Sequence, residues 1–153
     1  PLHLIQEAID INVTAPITLT AALMEQMKTQ KRGHIVNIGS IAGLHNLYSA
    51  LYGATKSALH LFSQNLRTEL SGSAVRVTEI CPGRVSTGFF QAASGNQERL
   101  DSLGQSGIAE LTPEDVANAV LYALDAPMHV NVATIEILPL QQAVGGMKLS
   151  PFE

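Results

Sequence analysis

The fold of this chain is decided by a stretch that begins Gly33-His34-Ile35-Val36-Asn37-Ile38-Gly39-Ser40-Ile41-Ala42-Gly43 and, after a short loop, continues Tyr52-Gly53-Ala54-Thr55-Lys56. The run from His34 to Ile38 is largely apolar and bounded by glycines, which is typical of a parallel strand buried on both faces. Ser40 follows the carboxyl end of that strand, where open parallel sheets bind their ligands. We therefore predict a strand over residues 34–38 with Ser40 in a ligand site.

The residues after the loop predict a long helix. Tyr52 and Lys56 are four residues apart, so they share one face of that helix. An ammonium group beside a phenol favours the phenolate, so the pKa of Tyr52 is expected to fall and to suit proton exchange with an alcohol or carbonyl. A solvated surface pair is the alternative. Apolar residues recur at helical spacing over Leu51, Ala54, Ala58, Leu59, Phe62, Leu66 and Leu70. Gly72 is expected to follow the end of this helix.

A second strand is predicted from Ala74 to Ile80, and it runs into Pro82-Gly83-Arg84-Val85-Ser86-Thr87. Together with the Gly-Ser-Ile-Ala-Gly segment and the Tyr-x-x-x-Lys pair, this order resembles the short-chain dehydrogenase/reductase family over nearly the whole chain. The resemblance implies an α/β fold, a Rossmann-type doubly wound parallel sheet with helices on both faces. Residues 1–153 would form one domain of this kind.

The resemblance also implies roles for individual residues. Tyr52 would be the general acid/base, Ser40 would hydrogen-bond the substrate oxygen, and Lys56 would lower the tyrosine pKa and bind the nicotinamide ribose. Asn12, in the run Asp10-Ile11-Asn12-Val13, would hold a water linked to the lysine. The cofactor would be NADP or NAD, and its binding residues would be Tyr52, Lys56, Pro82, Gly83, Val85 and Thr87.

A helix is predicted from about Leu2 to Met27, interrupted at Pro16. Proline has no N–H to donate to the carbonyl of Asn12, so we expect a kink with that carbonyl unpaired within the helix. An ordinary proline kink is the alternative to the relay role of Asn12. The resemblance implies that this helix and the helix of residues 51–70 pack against their symmetry mates, so we expect a symmetric dimer within a tetramer. The apolar residues of the helix of residues 51–70 spread too widely for a single stripe, which suits burial on two sides.

The rest of the chain reads as a variable segment, a helix and a last strand. Residues 88–111 have weak periodicity, and in the family this segment covers the substrate as a lid. Arg84 and Arg99 are cations that could meet a carboxylate or simply be solvated. Thr112 is expected to cap a helix running from Pro113 to about Leu124, and residues 131–138 predict a strand.

Three segments of the C-terminal part indicate a subgroup of the family. They are the run Leu-Thr-Pro-Glu-Asp-Val-Ala at residues 111–117, the last strand and the tail of residues 139–153. They look most like the NADP-dependent 3-hydroxy acid dehydrogenases that also oxidise serine and allo-threonine, and less like the clavaldehyde reductase type. A small hydroxy acid is therefore the implied substrate.

Two features depart from the family pattern. Eleven residues separate Ser40 from Tyr52, where the family usually has twelve. Tyr48 is a poor substitute for Tyr52 in the Tyr-x-x-x-Lys pair, because no lysine follows it four residues later. The chain also has no Gly-rich strand-turn-helix segment, which belongs to the first βαβ unit and binds the pyrophosphate. We expect about 90 residues of such a domain to lie outside this sequence.

This second departure has consequences for the isolated piece. The strand of residues 34–38 would keep an unpaired edge, so the piece alone is expected to be poorly stable or to pair with itself, and to bind cofactor badly. A catalytically inactive remnant that serves as an assembly module is the alternative to an enzyme.

The composition argues against a nucleic-acid-binding, membrane-spanning, disulfide-bonded or metal-binding protein. The net charge is −4, which gives no electrostatic case for nucleic acid, and no apolar run reaches the roughly 18 residues of a membrane span. Cys81 is the only cysteine, so no intrachain disulfide forms and a reducing compartment, the cytoplasm, is expected. None of the five histidines forms a metal-like pair along the sequence, so no metal site is expected.

Overall fold

The computed structural model describes residues 2–47, 49–87 and 106–143 of the chain. One parallel sheet of three strands has the order β1-β2-β3, with β1 at Gly33–Ile38, β2 at Val75–Pro82 and β3 at Thr134–Ile137. Parallel neighbours need long crossovers. The first contains the helix α3, Ala50–Glu69, and the second contains α4, Pro113–Asp125. The predicted α/β class with a parallel sheet is confirmed.

The N-terminal helical region is interrupted, as the position of Pro16 predicts. It consists of α1, Leu2–Ile9, a π-helical turn, Asp10–Thr14, and α2, Ala15–Gln30. The Ala15 N–H donates to the Asp10 carbonyl, five residues earlier. In a π turn each N–H bonds the carbonyl five residues earlier instead of four. The regular α-helical hydrogen bonds are therefore interrupted just before Pro16, which has no N–H to donate. The helix also runs three residues beyond the predicted end at Met27.

α3 and α4 lie on opposite faces of the sheet. Val77 of β2 belongs to a buried cluster with Leu66 of α3 and with Leu70, which follows the end of that helix. The next side chain back, Arg76, must point to the other face because side chains alternate along a strand. Its guanidinium donates to carbonyls at the end of α4 and just after it, those of Leu124, Ala126 and Val130. Helices on both faces are as predicted.

β2 is the central strand, and it is buried on both faces. Its polar residues are buried with the apolar ones: Thr78, Glu79 and Cys81 are all fully inaccessible. The strand also extends through Pro82, two residues beyond the predicted end at Ile80. A central strand has covered faces and a neighbour on each side, so its polar side chains need partners inside the protein. Thr78 finds one in the Val132 carbonyl, at 2.6 Å.

β1 is an edge strand within the described residues. It pairs in parallel with β2 alone, from Gly33 opposite Val75 to Ile38 opposite Ile80. Ile38 is 45% exposed, so the predicted burial on both faces is not observed for a strand with a neighbour on one side only. Along β1 and the first helices runs a cavity of about 410 Å³, whose lining includes Asn12, Leu19, Leu23 and Lys56.

The C-terminal part follows the predicted order with one shorter element. Thr112 caps α4: its hydroxyl accepts from the Asp115 N–H, and Asp115 accepts from the Thr112 N–H at 2.7 Å. β3 covers only Thr134–Ile137 because the Asn131 side chain, rather than its backbone, bonds both the N–H and the carbonyl of Val77. No helix in the described ranges is long and apolar enough to cross a membrane.

Candidate active site

Ser40 stands at the carboxyl end of β1, where the sheet meets the start of α3. Its side chain is buried, and its hydroxyl accepts a hydrogen bond from the Ala42 N–H at 3.1 Å, which caps the short 3-10 turn Ile41–Gly43. A second hydrogen bond joins Ser40 to the hydroxyl of Tyr52. The structure thus brings these two predicted site residues into direct contact.

Lys56 lies one turn further along α3 than Tyr52. Its Nζ donates to the Ile38 carbonyl at 3.0 Å and lies 5.8 Å from the centroid of the Tyr52 ring. This contact fixes the ammonium over the last residue of β1, beside the phenol, in a cation–π arrangement. The helical spacing of the two residues therefore places them on one face, as predicted.

The predicted fall in the pKa of Tyr52 is wrong for this structure. Burial of the phenol raises the pKa of Tyr52 above its ordinary value, and the hydrogen bond with Ser40 offsets only part of that effect. Burial likewise lowers the pKa of Lys56, while the charge of Glu79 raises it in part. The sequence spacing shows which groups are close but not how far each is removed from water.

Asn12 lies in the π turn, and this turn packs against α3. Asn12 and Lys56 line the same cavity along β1. Among the described residues, the Lys56 ammonium makes its hydrogen bond to Ile38 and not to Asn12. A link between Asn12 and Lys56 would therefore run through a bridging molecule in the cavity that both residues line.

The segment after β2 is held by the C-terminal part of the chain. The Gly83 N–H donates to the Ile137 carbonyl at 2.8 Å. A Cβ on Gly83 would lie 2.5 Å from Gln142 Oε1 and 2.8 Å from a Leu138 methyl group. Packing within the protein therefore favours glycine here, since a larger residue would have to displace both side chains. Val85 forms an isolated bridge with Leu111, and Thr87 is exposed.

Arg84 is buried, so its interpretation as a solvated arginine is wrong. Its Nε donates to the carboxylate of Glu110, and its backbone N–H donates to Gln142 Oε1 at 2.8 Å. The carboxylate that Arg84 meets therefore belongs to its own chain. Arg99, Tyr48 and most of the expected lid, residues 88–105, lie outside the described residues.

Sequence reasoning missed a buried polar group beneath α3. His60 Nδ1 lies 2.5 Å from Glu79 Oε2, and the possible ligand atoms of His60, Glu79 and Cys81 lie within 4.8 Å of one another. Burial and then the charge and hydrogen bonding of Glu79 raise the pKa of Cys81 to about 12, so its thiol is neutral. One signal was present: Glu79 and Cys81 are two apart on a strand, and His60 is one turn after Lys56.

Comparisons with known proteins agree with this arrangement. A model of the short chain dehydrogenase family matches residues 2–98. The chain is 40% identical over 144 residues to an NADP-dependent 3-hydroxy acid dehydrogenase of Escherichia coli, covering 92% of this chain and 58% of that protein. It is 36% identical over 146 residues to a serine 3-dehydrogenase of Agrobacterium fabrum, covering 94% of this chain and 58% of the relative.

A solved structure gives the same result in three dimensions. The closed form of a serine dehydrogenase complexed with NADP+ matches with a TM-score of 0.83 and 39% identity, covering 94% of this chain and 59% of that one. The chain therefore spans somewhat under two thirds of the length of the relatives it matches. Matched in sequence over most of its length and in fold, the chain belongs to the short chain dehydrogenase family.

Proposed function

We propose that the full-length protein interconverts an alcohol and a carbonyl compound with NADP or NAD. The observation that carries this proposal is the contact of Ser40 with the Tyr52 hydroxyl at the carboxyl end of β1, with the Lys56 ammonium beside the phenol. Ligands bind at this end of open parallel sheets. One hydroxyl, one phenol and one cation at that place suit proton transfer to a substrate oxygen.

Each of the three residues has a separate task in the proposed reaction. Because burial raises its pKa, Tyr52 holds its proton at neutral pH and can donate it when a carbonyl is reduced. In the reverse direction the phenolate must form, and the nearby Lys56 charge then stabilises it. Ser40 offers a hydroxyl to the same substrate oxygen, where negative charge develops.

The residues of the site suit a nicotinamide cofactor on its ribose side. The Lys56 ammonium spends one of its three N–H groups on the Ile38 carbonyl, so two remain for ribose hydroxyls. Tyr52 lies beside it, and we propose that Pro82, Gly83, Val85 and Thr87, which follow β2, line the nicotinamide side. A bound NADP or NAD supplies the hydride chemistry itself.

Asn12 is proposed as the outer member of the proton path. It borders the cavity that Lys56 also borders, and it sits in a π turn, a feature frequent at functional sites. In this role the Asn12 side chain or backbone would hold a water that returns protons to Lys56.

The proposed substrate is a small 3-hydroxy acid, with NADP preferred, because the relatives carry those names. The test is a panel of serine, allo-threonine, 3-hydroxypropionate and bulky apolar alcohols, each with NADP and NAD, on the full-length protein. Turnover of the hydroxy acids supports the proposal, and turnover of the bulky alcohols alone overturns the substrate class. A folded protein that binds neither cofactor and turns over none of these compounds would favour the alternative, a catalytically inactive assembly module.

The protein is proposed to form a dimer, within a tetramer, through α1, α2 and α3. These helices and the π turn between the first two expose large apolar side chains, among them Ile11 and Leu19 at 63% and Leu61 at 55%. Such side chains suit burial against a symmetry mate. Sedimentation of the full-length protein as a monomer at micromolar concentration would contradict this. The cytoplasm is the proposed compartment, since Cys81 is a free buried thiol.

A further inference from the structure

A polar stripe continues along α3 beyond the proposed active site. Tyr52, Lys56, His60 and Gln64 recur every four residues, so they follow one face of the helix. Gln64 Nε2 lies 2.8 Å from His60 Nε2, and the other ring nitrogen of His60 contacts Glu79 of the central strand. The stripe therefore connects the site to a fully buried carboxylate.

Glu79 fills the space beside Gly39, the residue that links β1 to Ser40. A Cβ built on Gly39 would lie 2.2 Å from Glu79 Oε1 and 2.9 Å from its carboxyl carbon. That oxygen has no hydrogen-bond partner of good geometry in the described part of the chain, although Glu79 is 0% exposed. A buried carboxylate costs free energy unless its charge meets an opposite charge.

The charge of Glu79 also acts on the ammonium of Lys56. Its Nζ is bound to the Ile38 carbonyl, one residue before Gly39, so it and the carboxylate approach the same turn. The charge of Glu79 opposes the burial that lowers the pKa of Lys56. The geometry and the charge thus point to the same pair of groups.

We propose that Glu79, held by His60, is a positioning residue for the active site: it supports the turn through Gly39 that presents Ser40, and it sets a negative charge beside the Lys56 ammonium. This rests on the proposed oxidoreductase function. Glu79 does not touch the substrate in this account and acts only through Ser40 and Lys56.

The other groups near Lys56 do not supply the same charge. Tyr52 and His60 face it from α3, and Cys81 faces it from β2 as a neutral thiol whose pKa is about 12. Glu136, on β3, lies opposite Cys81 in the sheet register but pairs with His45 at 2.7 Å. Within the described residues, Glu79 is therefore the carboxylate that raises the pKa of Lys56.

A metal ion held by His60, Glu79 and Cys81 is less consistent with the same atoms. A histidine nitrogen, a carboxylate oxygen and a cysteine sulfur are ligands that zinc accepts. However, the histidine nitrogen and the carboxylate oxygen already bond each other at 2.5 Å, the thiol is protonated, and an ammonium group lies nearby. These features favour a hydrogen-bonded pair over a cation site.

The test is the pH dependence of kcat/KM in full-length Glu79→Gln, which keeps the side-chain shape and removes the charge. Without that negative charge the pKa of Lys56 falls, so the ammonium is lost at lower pH. The alkaline limb of the profile should move down by about one pH unit. Glu136→Gln is the matched control, since it neutralises another histidine-paired glutamate of the same sheet, and its limb should stay in place.

An unchanged alkaline limb in Glu79→Gln, or an equal shift in Glu136→Gln, would overturn the proposal. If Glu79→Gln does not fold, Gly39→Ala displaces the same carboxylate, and its limb should also move down; an unmoved limb there would count equally against the proposal. Inactivity of the wild-type protein would instead overturn the proposed function, so the two failures are distinguishable.

Discussion

The two halves of α3 pack different kinds of side chain against the same sheet, polar ones near its start and apolar ones near its end. The first half, with His60 directly after it, presents Tyr52 and Lys56 to the end of β1 and His60 to Glu79. The second half presents Leu66, and Leu70 directly after the helix, to the valines at the start of β2. One helix thus carries the proposed chemistry at one end and apolar packing at the other. Substitutions in the two halves should therefore separate activity from stability.

The largest expected effect on stability is in the second half. Leu66 is 3% exposed, and Leu66→Ala would leave a cavity in the buried cluster. The free energy of unfolding of the full-length protein should fall by about 2–5 kcal/mol, measured by urea denaturation. Leu121→Ala is the matched control, because Leu121 is 53% exposed, and it should change stability by no more than about 0.5 kcal/mol. Equal losses in both variants would contradict the assignment of the core.

Beside the first half of α3, at the carboxyl end of β1, Ser40→Ala should chiefly cost activity. The variant removes the hydroxyl that contacts Tyr52, so kcat should fall about 10²–10³-fold, as when one donor to a developing oxyanion is lost. The cap on the Ala42 N–H is lost as well, at about 1 kcal/mol of stability. Ser40→Thr keeps a hydroxyl and should retain more turnover. Comparable kcat in Ser40→Ala and wild type would remove Ser40 from the site.

The division within α3 was largely readable from the sequence. Apolar spacing predicted the helix to within a residue at each end, and the four-residue interval placed Tyr52 and Lys56 together. The cap at Thr112 and the interruption near Pro16 were also readable, since each depends on local chemistry.

The features that the sequence did not reveal depend on tertiary surroundings. The pKa of Tyr52 was expected to fall, but burial, which local spacing does not report, raises it. Glu79 is fully buried because its strand is the central one of the sheet, a position that the local sequence does not report. β3 is short because Asn131 bonds Val77 through its side chain, a contact 54 residues away in sequence.

The smallest effect is expected at the start of α3. The Ser49 hydroxyl accepts from the Tyr52 N–H at 3.3 Å, so it caps the helix without reaching the reacting groups. Ser49→Ala should lower the free energy of unfolding by about 1 kcal/mol and leave kcat close to wild type. Calorimetry and steady-state kinetics on the same preparation would check both. A loss of kcat as large as that of Ser40→Ala would mean that the cap, rather than the hydroxyls, controls the site.

The central claim is that Tyr52 moves the proton in a nicotinamide-dependent reaction. The most direct measurement compares full-length wild type and Tyr52→Phe for turnover, followed by the ultraviolet absorbance of the reduced cofactor, and for NADP binding, followed by fluorescence. Because the variant loses only the hydroxyl, turnover should fall about 10²–10⁴-fold while cofactor affinity stays nearly the same. Comparable turnover by the two proteins would contradict the account.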